Sequence, residues 1–419
     1  MHRKIFNISH LSAGFSAVLV GYTSSVVLII QAATAAGATE QQTGSWLLAL
    51  GVVMGLSCMA FSWFYKVPVL TAWSTPGAAM LIAVVNDYPL TDVIGAFIIS
   101  AALITLTGML SSISRLLERI PAQLATAMLA AILLPFCLKA FTPVMTNPLI
   151  FASMFAAFML SKRFFPRYAM LMLLISGILC AIFVGAFDSQ NMTLSVARPV
   201  WVTPSFDAMA IINISLPLYI ITMLSQNLPG FAMLQSHQYS IPAKPVFIAT
   251  GLSNLLFAPF GAFSVNLAAI SAAICMGDEV DPDKTQRYRA AIWAGVFYLI
   301  AGIWATTVVS LFLALPAAVS QILAGLALLG TLTMCLQTAF SQEKYREAAL
   351  MTFLLSLSGI TLFGIGATIW GLLVGLLDIQ FSGKKSKQTM AKNSPDSSSR
   401  PLQDETSEQE SICLSEVDG

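Results

Sequence analysis

Long stretches of this chain carry no Asp, Glu, Lys or Arg at all. They run from Leu11 to Thr39, Val67 to Asn86, Val93 to Ser114, Ala140 to Ser161, Tyr168 to Phe187, Ala208 to Ala243, Pro245 to Gly277, Ala290 to Gln342 and Ala348 to Leu377. A helix that crosses a bilayer needs about 20 predominantly apolar residues, so each stretch holds one such helix or two. Across all 419 residues only 10% are charged and 57% are hydrophobic. Soluble domains carry about 25% charged residues, which excludes an aqueous globular fold. A net charge of +1 gives no electrostatic footing for nucleic acid. The six cysteines (58, 137, 180, 275, 335 and 413) have neither zinc nor disulfide spacing. No small-residue cleavage pattern follows the first apolar run, which therefore reads as an uncleaved span.

Pro, Gly and short polar breaks divide the stretches into 14 expected spans: 11–32, 46–64, 67–85, 93–113, 121–138, 146–161, 168–187, 208–232, 245–259, 261–276, 290–312, 317–340, 348–362 and 363–379. Alternating them from a cytoplasmic N-terminus places all but Lys139 and Arg198 of the 21 basic residues inside, as the positive-inside rule asks. The expectation is a multi-pass protein of the bacterial inner membrane with both termini cytoplasmic. Residues 383–419 are Ser-rich, polar and charged, and read as a disordered cytoplasmic tail.

Two segments break the pattern of ordinary spans. In the first, Pro68 and Pro76 bracket Val69-Leu70-Thr71-Ala72-Trp73-Ser74-Thr75. Ser74-Thr75-Pro76 is a helix start, with a hydroxyl cap followed by Pro in the first turn. A helix that begins there begins inside the bilayer. The extended piece before it needs a pairing partner, because lipid satisfies no backbone group. In the second, Pro259 and Gly261 precede Phe263, Ser264, Val265 and Asn266, and then a small-residue run. Ser264 or Asn266 is the expected cap. The segments are spans 3 and 10, seven apart, and paired interrupted spans point to an inverted-repeat transporter. The expected fold is therefore all-α and polytopic, with 7+7 spans in inverted halves (1–200 and 201–382). Inversion of the halves leaves the two extended pieces placed to pair antiparallel at the midplane. Two helix N-termini facing one cavity make an anion site without a buried cation.

The strings SHLSAGFSAVLVGYTSSVVLIIQAA, VPVLTAWSTPGAAML and PFGAFSVNLAAISAAI resemble the bacterial benzoate/proton symporter (BenE) family over about residues 5–380. That family resembles in fold the uracil-permease and sulfate-permease transporters. The resemblance implies a 7+7 inverted repeat, a core domain, a gate domain, short antiparallel strands in broken spans 3 and 10, and, by analogy with relatives of the fold, a possible homodimer. Uracil-permease relatives carry a Glu in span 8 and a Glu-Asn pair in span 10. Here those places hold Gln226 and Val265-Asn266. Loss of both acids suits an anionic substrate and leaves the proton carrier unassigned.

The candidate substrate-binding residues are Trp73, Ser74, Thr75, Gly77, Ser264 and Asn266 of the broken spans, through backbone amides and polar side chains. Gln226 and Asn227 are candidate amide donors, and Phe15, Tyr22, Trp73 and Phe263 candidate ring walls. His10 and His237 read as interfacial. Asp87, Asp92, Asp188 and Asp207 read as outer-loop acids, and Asp278–Asp283 as a solvated acidic loop without EF-hand spacing. No catalytic cluster, HExxH, Gly-x-Ser-x-Gly or phosphate-binding loop occurs within the spans, so the expectation is no enzyme, no metal and no cofactor, and ATP-driven transport by this chain alone is unsupported. A channel is disfavoured by the want of charged rings. The expected function is proton-coupled uptake of benzoate or a similar aromatic carboxylate. The alternative is carriage of another anion or a nucleobase on the same fold.

Overall fold

The structure, a computed structural model, describes residues 7–110, 120–188 and 192–392. Arg3, Lys4, Arg115, Arg119, Arg400 and the tail beyond residue 392 lie outside the described residues. Residues up to Asp378 form one compact unit, and a second begins at Ile379.

Helix α1 (Ile8–Ala35) starts at Asn7, whose side chain accepts from the Ser9 amide. Helix α2 (Glu40–Tyr65) starts at a capping box of Thr39 and Gln42 and ends at Lys66 in a left-handed conformation. Strand β1 (Thr71–Trp73) and helix α3 (Thr75–Val84) follow. Helices α4 (Leu90–Met109), α5 (Ala122–Lys139), α6 (Pro148–Phe164) and α7 (Ala169–Phe183) complete the first half. The second half opens with the long helix α8 (Ala208–Ser236) and α9 (Ala243–Phe257). It continues through strand β2 (Val265–Leu267) and the short helix α10 (Ile270–Ile274). Helices α11 (Tyr288–Ile303), α12 (Ala305–Leu313), α13 (Ala317–Ala339), α14 (Arg346–Leu357) and α15 (Ala367–Lys392) close the chain.

Each expected span thus carries a helix or, in the two broken ones, a strand and a short helix. Among the described residues, seven helices are long and apolar enough to cross a membrane, and eight if α11 and α12, bent by 61°, are taken as one span. The last helix runs on past Gly383 to Lys392.

The two strands form an antiparallel ribbon with Thr71 opposite Leu267, Ala72 opposite Asn266 and Trp73 opposite Val265. The Ser74 amide donates to the Ser264 carbonyl at 3.0 Å, and the Ala268 amide to the Leu70 carbonyl at 2.9 Å. Because hydrogen-bonded pairs alternate along such a ladder, Ala72 and Asn266 form the hydrogen-bonded pair between them. A lone ribbon leaves both outer edges bare, which an apolar interior does not tolerate. Side chains fill them. On the β1 edge the Thr71 amide donates to the Cys58 sulfur and the Trp73 amide to the Met54 sulfur, each at 3.1 Å. On the β2 edge the Val265 amide donates to Asn254 Oδ1 at 2.9 Å and the Leu267 amide to Asn227 Oδ1 at 3.0 Å. Asn254 Nδ2 returns a bond to the Val265 carbonyl at 3.0 Å.

Asn254→Ala strips both partners from Val265, and each unpaired buried group costs about 1–3 kcal/mol. The expected outcome is a clear drop in the thermal midpoint of the purified protein. An unchanged midpoint would show that the ribbon does not depend on this side chain.

Helix α8 contains two π-type stretches, Ile211–Ser215 and Ile221–Asn227. Each lies just before a proline, Pro217 and Pro229. A helical proline has no N–H to give and its ring crowds the carbonyl four residues back, and a widened turn relieves that crowding. The Ser225 carbonyl, four before Pro229, takes a bond from Gln226 Nε2 at 2.8 Å instead. Gly230 lets α8 lie against β2: a Cβ there would stand 2.5 Å from the Leu267 Cβ.

Candidate functional site

Where the ribbon, α1, α8 and α13 meet there is a cavity of about 580 Å³, within the range of small-ligand sites. Its walls are Val20, Gly21, Ser24 and Ser25 of α1 (Tyr22, expected as a ring wall, is not among them), Ala72 and Trp73 of β1, Thr75 and Pro76 of α3, and Ser225, Gln226, Pro229, Ala232, Met233 and Ser236 of α8. Ala268, Ala269, Ser271, Tyr298 and the Ala327–Met334 positions of α13 close it. Among the described residues, no charged residue and no histidine lines it.

Both half-helices begin at this cavity. Ser74 caps α3, its hydroxyl accepting from the Gly77 amide at 3.0 Å, and a Cβ on Gly77 would stand 2.7 Å from that hydroxyl. The Gly77 amide is therefore spent on the Ser74 hydroxyl, which keeps its own proton to donate. Thr75, the first residue of α3, faces the cavity and carries a first-turn amide that the helix cannot satisfy internally. In the second segment the helix starts later than the Ser264 or Asn266 cap expected from sequence. Asn266 lies mid-strand, and α10 starts after Ala269, with no side-chain cap. Ala269 lines the cavity.

Trp73 is nearly fully buried. Its indole Nε1 donates to Ser25 Oγ at 2.7 Å, which donates to the Gly21 carbonyl at 2.9 Å. The Tyr22 ring stands 5.0 Å from the Trp73 ring, tilted by 56°. Gln226 borders the cavity, whereas Asn227 is buried behind it, holding the Leu267 amide. Ser264 is tied to Thr222, hydroxyl to hydroxyl, at 2.8 Å. Phe263 packs between Trp46 and Phe97 and does not line the cavity. Phe15 is half-exposed and meets Phe297 edge-on.

Among the described residues, several buried polar atoms here have no hydrogen-bond partner: Ser225 Oγ, the Tyr22 hydroxyl, and both amide atoms of Asn266. Directly opposed strand residues share a face of the ribbon, so Asn266 is on the face of Ala72; Ala72 lines the cavity, whereas Asn266 is fully buried and is not itself a lining residue. Sequence reasoning missed Ser24, Ser25, Ser225, Ser271 and Tyr298 as lining residues. Ser24-Ser25 in mid-span was a legible signal, whereas Tyr298 carries no local mark.

Asp278 and Glu279 of the acidic loop are exposed, as expected of a solvated loop, but the loop is also tied to the protein, and Asp281 is largely buried. His10 is buried and its Nε2 lies 2.9 Å from Asp281 Oδ2. Ser9 Oγ donates to the carbonyls of Glu279 and Val280. Arg287, also buried, pairs with Asp278 and donates to the carbonyls of Met276 and Asp281. The loop between α10 and α11 is thereby latched to the start of α1. His237 Nδ1 lies 3.1 Å from the Met233 carbonyl. Asp207 caps α8 and Asp92 accepts from Ser205.

Two interrupted segments meeting at an internal cavity in a helical polytopic protein are the architecture of secondary transporters, and the family comparison shows this chain to be a membrane transporter. The chain belongs to the BenE family: the family model described as "Benzoate membrane transport protein" matches residues 4–381. It is 45% identical over 365 residues to the Inner membrane protein YdcO of Escherichia coli, covering 87% of this chain and 93% of that one. It is 36% identical over 375 residues to the Benzoate membrane transport protein of Acinetobacter baylyi, covering 90% and 95%. Among solved structures it is similar to the murine Slc26a9 anion transporter in its inward-facing state. The TM-score there is 0.59 at 13% identity, over 92% of this chain and 70% of that one. It is also similar to the transmembrane domain of the cyanobacterial bicarbonate transporter BicA, with a TM-score of 0.59 at 12% identity, over 90% and 97%. The expected kinship in fold with the sulfate-permease transporters holds.

Proposed function

We propose that this secondary transporter takes up benzoate or a closely similar aromatic carboxylate together with a proton. It would work as fourteen spans in two inverted halves (1–200 and 201–382), with both termini on the cytoplasmic side of a bacterial inner membrane. One observation carries the reading: a neutral cavity with aromatic and aliphatic walls, bordered by two helix starts and by polar atoms without a partner among the described residues. The carboxylate takes the Thr75 amide, the partial positive charge of the helix starts and the Gln226 amide. Asn266 and Ser225 supply further donors behind them. The ring takes Trp73, Tyr298 and the aliphatic wall.

The same neutrality argues for proton coupling. With no cation in the lining, a bare carboxylate carried through the membrane interior is strongly disfavoured. A proton moving with it makes the cargo neutral overall. Acids at the Gln226 and Val265 places would repel the guest, and this chain has none there.

The test is uptake of labelled benzoate into proteoliposomes. An imposed inward proton gradient is expected to drive accumulation that unlabelled benzoate competes away and that sulfate, bicarbonate and uracil do not. Accumulation unaffected by the gradient defeats the symport reading. Displacement by sulfate, bicarbonate or uracil, with none by benzoate, assigns the cavity to another anion or a nucleobase.

A further inference from the structure

A second cavity, of about 450 Å³, lies at the far end of α3 from the site just described. Helix α3 begins at the first cavity with Thr75 and reaches the second with Ile82, about 10 Å further along at 1.5 Å per residue. Between them Ala78, Ala79, Met80 and Leu81 are completely buried. The two cavities also share α1 and α13: Val20–Ser25 positions border the first and Val27–Ala35 positions the second. On α13, Ala327–Met334 positions border the first and Ala317–Ala324 positions the second. They are therefore successive hollows on one seam, separated by a plug of small and aliphatic side chains.

The second cavity differs in one chemical respect. Lys139, at the end of α5, lines it and, among the described residues, is the one charged residue in either wall. No carboxylate lies within ion-pair reach of it among the described residues. Gln31 and Gln321 offer amide donors beside it, and Phe136 and Phe312 offer aromatic wall. The start of α13, at Ala317, adds the positive end of a 23-residue helix. A free ammonium, amide donors and two rings around one hollow match a ring bearing a carboxylate.

We infer that this cavity is an outer capture site for aromatic carboxylates, in which Lys139 holds the carboxylate and Phe136 and Phe312 flank the ring before the guest passes inward along the α1–α13 seam. The inference rests on the transport reading and the orientation proposed above, which place the second cavity on the outer face. The bland role of Lys139 is that of a cation at a helix C-terminus. That role predicts no difference between the two faces of the membrane.

The experiment uses right-side-out and inside-out membrane vesicles carrying the full chain. At low ionic strength Lys139→Gln is expected to raise the KM for benzoate about fivefold or more from the outer face and to abolish the rise of that KM with salt. Lys139→Arg keeps both properties, and KM from the inner face moves less than twofold in each variant. The inference is overturned by an outer KM shift under twofold. It is equally overturned by an equal shift from both faces or a shift that Lys139→Arg shares, since the charge is then not the cause. Wild-type vesicles that carry no benzoate under any gradient instead refute the transport reading. Equilibrium binding of labelled benzoate to purified wild type and Lys139→Gln then decides the cavity by itself: loss of a binding class supports it, and identical isotherms refute it.

Discussion

Gln226→Glu is expected to weaken benzoate uptake about a hundredfold near neutral pH and to recover at acid pH. Gln226 borders the cavity and spends one amide hydrogen on the Ser225 carbonyl. A carboxylate in its place, about 5 Å from the guest's own, repels it by roughly 3 kcal/mol at an effective dielectric near 20, about a hundredfold in affinity. The sign with pH follows from the surroundings. Apolar walls and a neighbouring anion both disfavour the charged form, so the new carboxyl titrates above the ordinary Glu value. Below that pKa it is neutral and stands in for the amide; as pH rises through it, the repulsion switches on. The ratio of variant to wild-type KM, measured from pH 5.5 to 8, removes the effect of the proton gradient itself. A ratio that stays near one throughout would place the guest's carboxylate away from Gln226.

The outline of the site was readable because its first half is written in consecutive residues. Ser74-Thr75-Pro76 is a local signature, and the structure has the Ser74 hydroxyl on the Gly77 amide and α3 starting at Thr75. The second half is not local. Ser264 and Asn266 look like caps in the sequence, yet Ser264 is held by Thr222 and Asn266 sits in a strand whose edge is held by Asn254 and Asn227. Those partners are 11 to 42 residues away in the chain. Pairing across that distance decides where the strand ends and the helix begins, and no spacing rule carries it.

Aromatic residues show the same limit. Trp73 and Phe263 each precede a break, which made both candidate walls. Only Trp73 lines the cavity, because its strand turns it toward Tyr22 and Ser25. Phe263 enters a separate cluster with Trp46 and Phe97. The wide turns of α8 were likewise invisible in hydropathy, although Pro217 and Pro229 mark them in retrospect. A proline four residues after Ser225 frees that carbonyl for Gln226, so a backbone defect sets the rotamer of a cavity-lining side chain.

Two asparagines on the same ribbon separate stability from function. Asn254 is satisfied at both ends by Val265, so its loss is expected to destabilise the protein as argued above. Asn266 is fully buried with neither amide atom paired, and a buried polar group in that state is costly to keep. Asn266→Ala removes the unpaired amide with little change in packing. The thermal midpoint is therefore expected to hold or rise, while benzoate uptake falls roughly 10- to 100-fold, the worth of a hydrogen bond to a charged group. Retained stability with lost uptake is the signature of a side chain kept for its ligand. Thermal unfolding of the purified variant beside proteoliposome uptake reads both quantities. A lowered midpoint with unchanged uptake would reverse the assignment, making Asn266 a structural residue and moving the guest to the Thr75 side of the cavity.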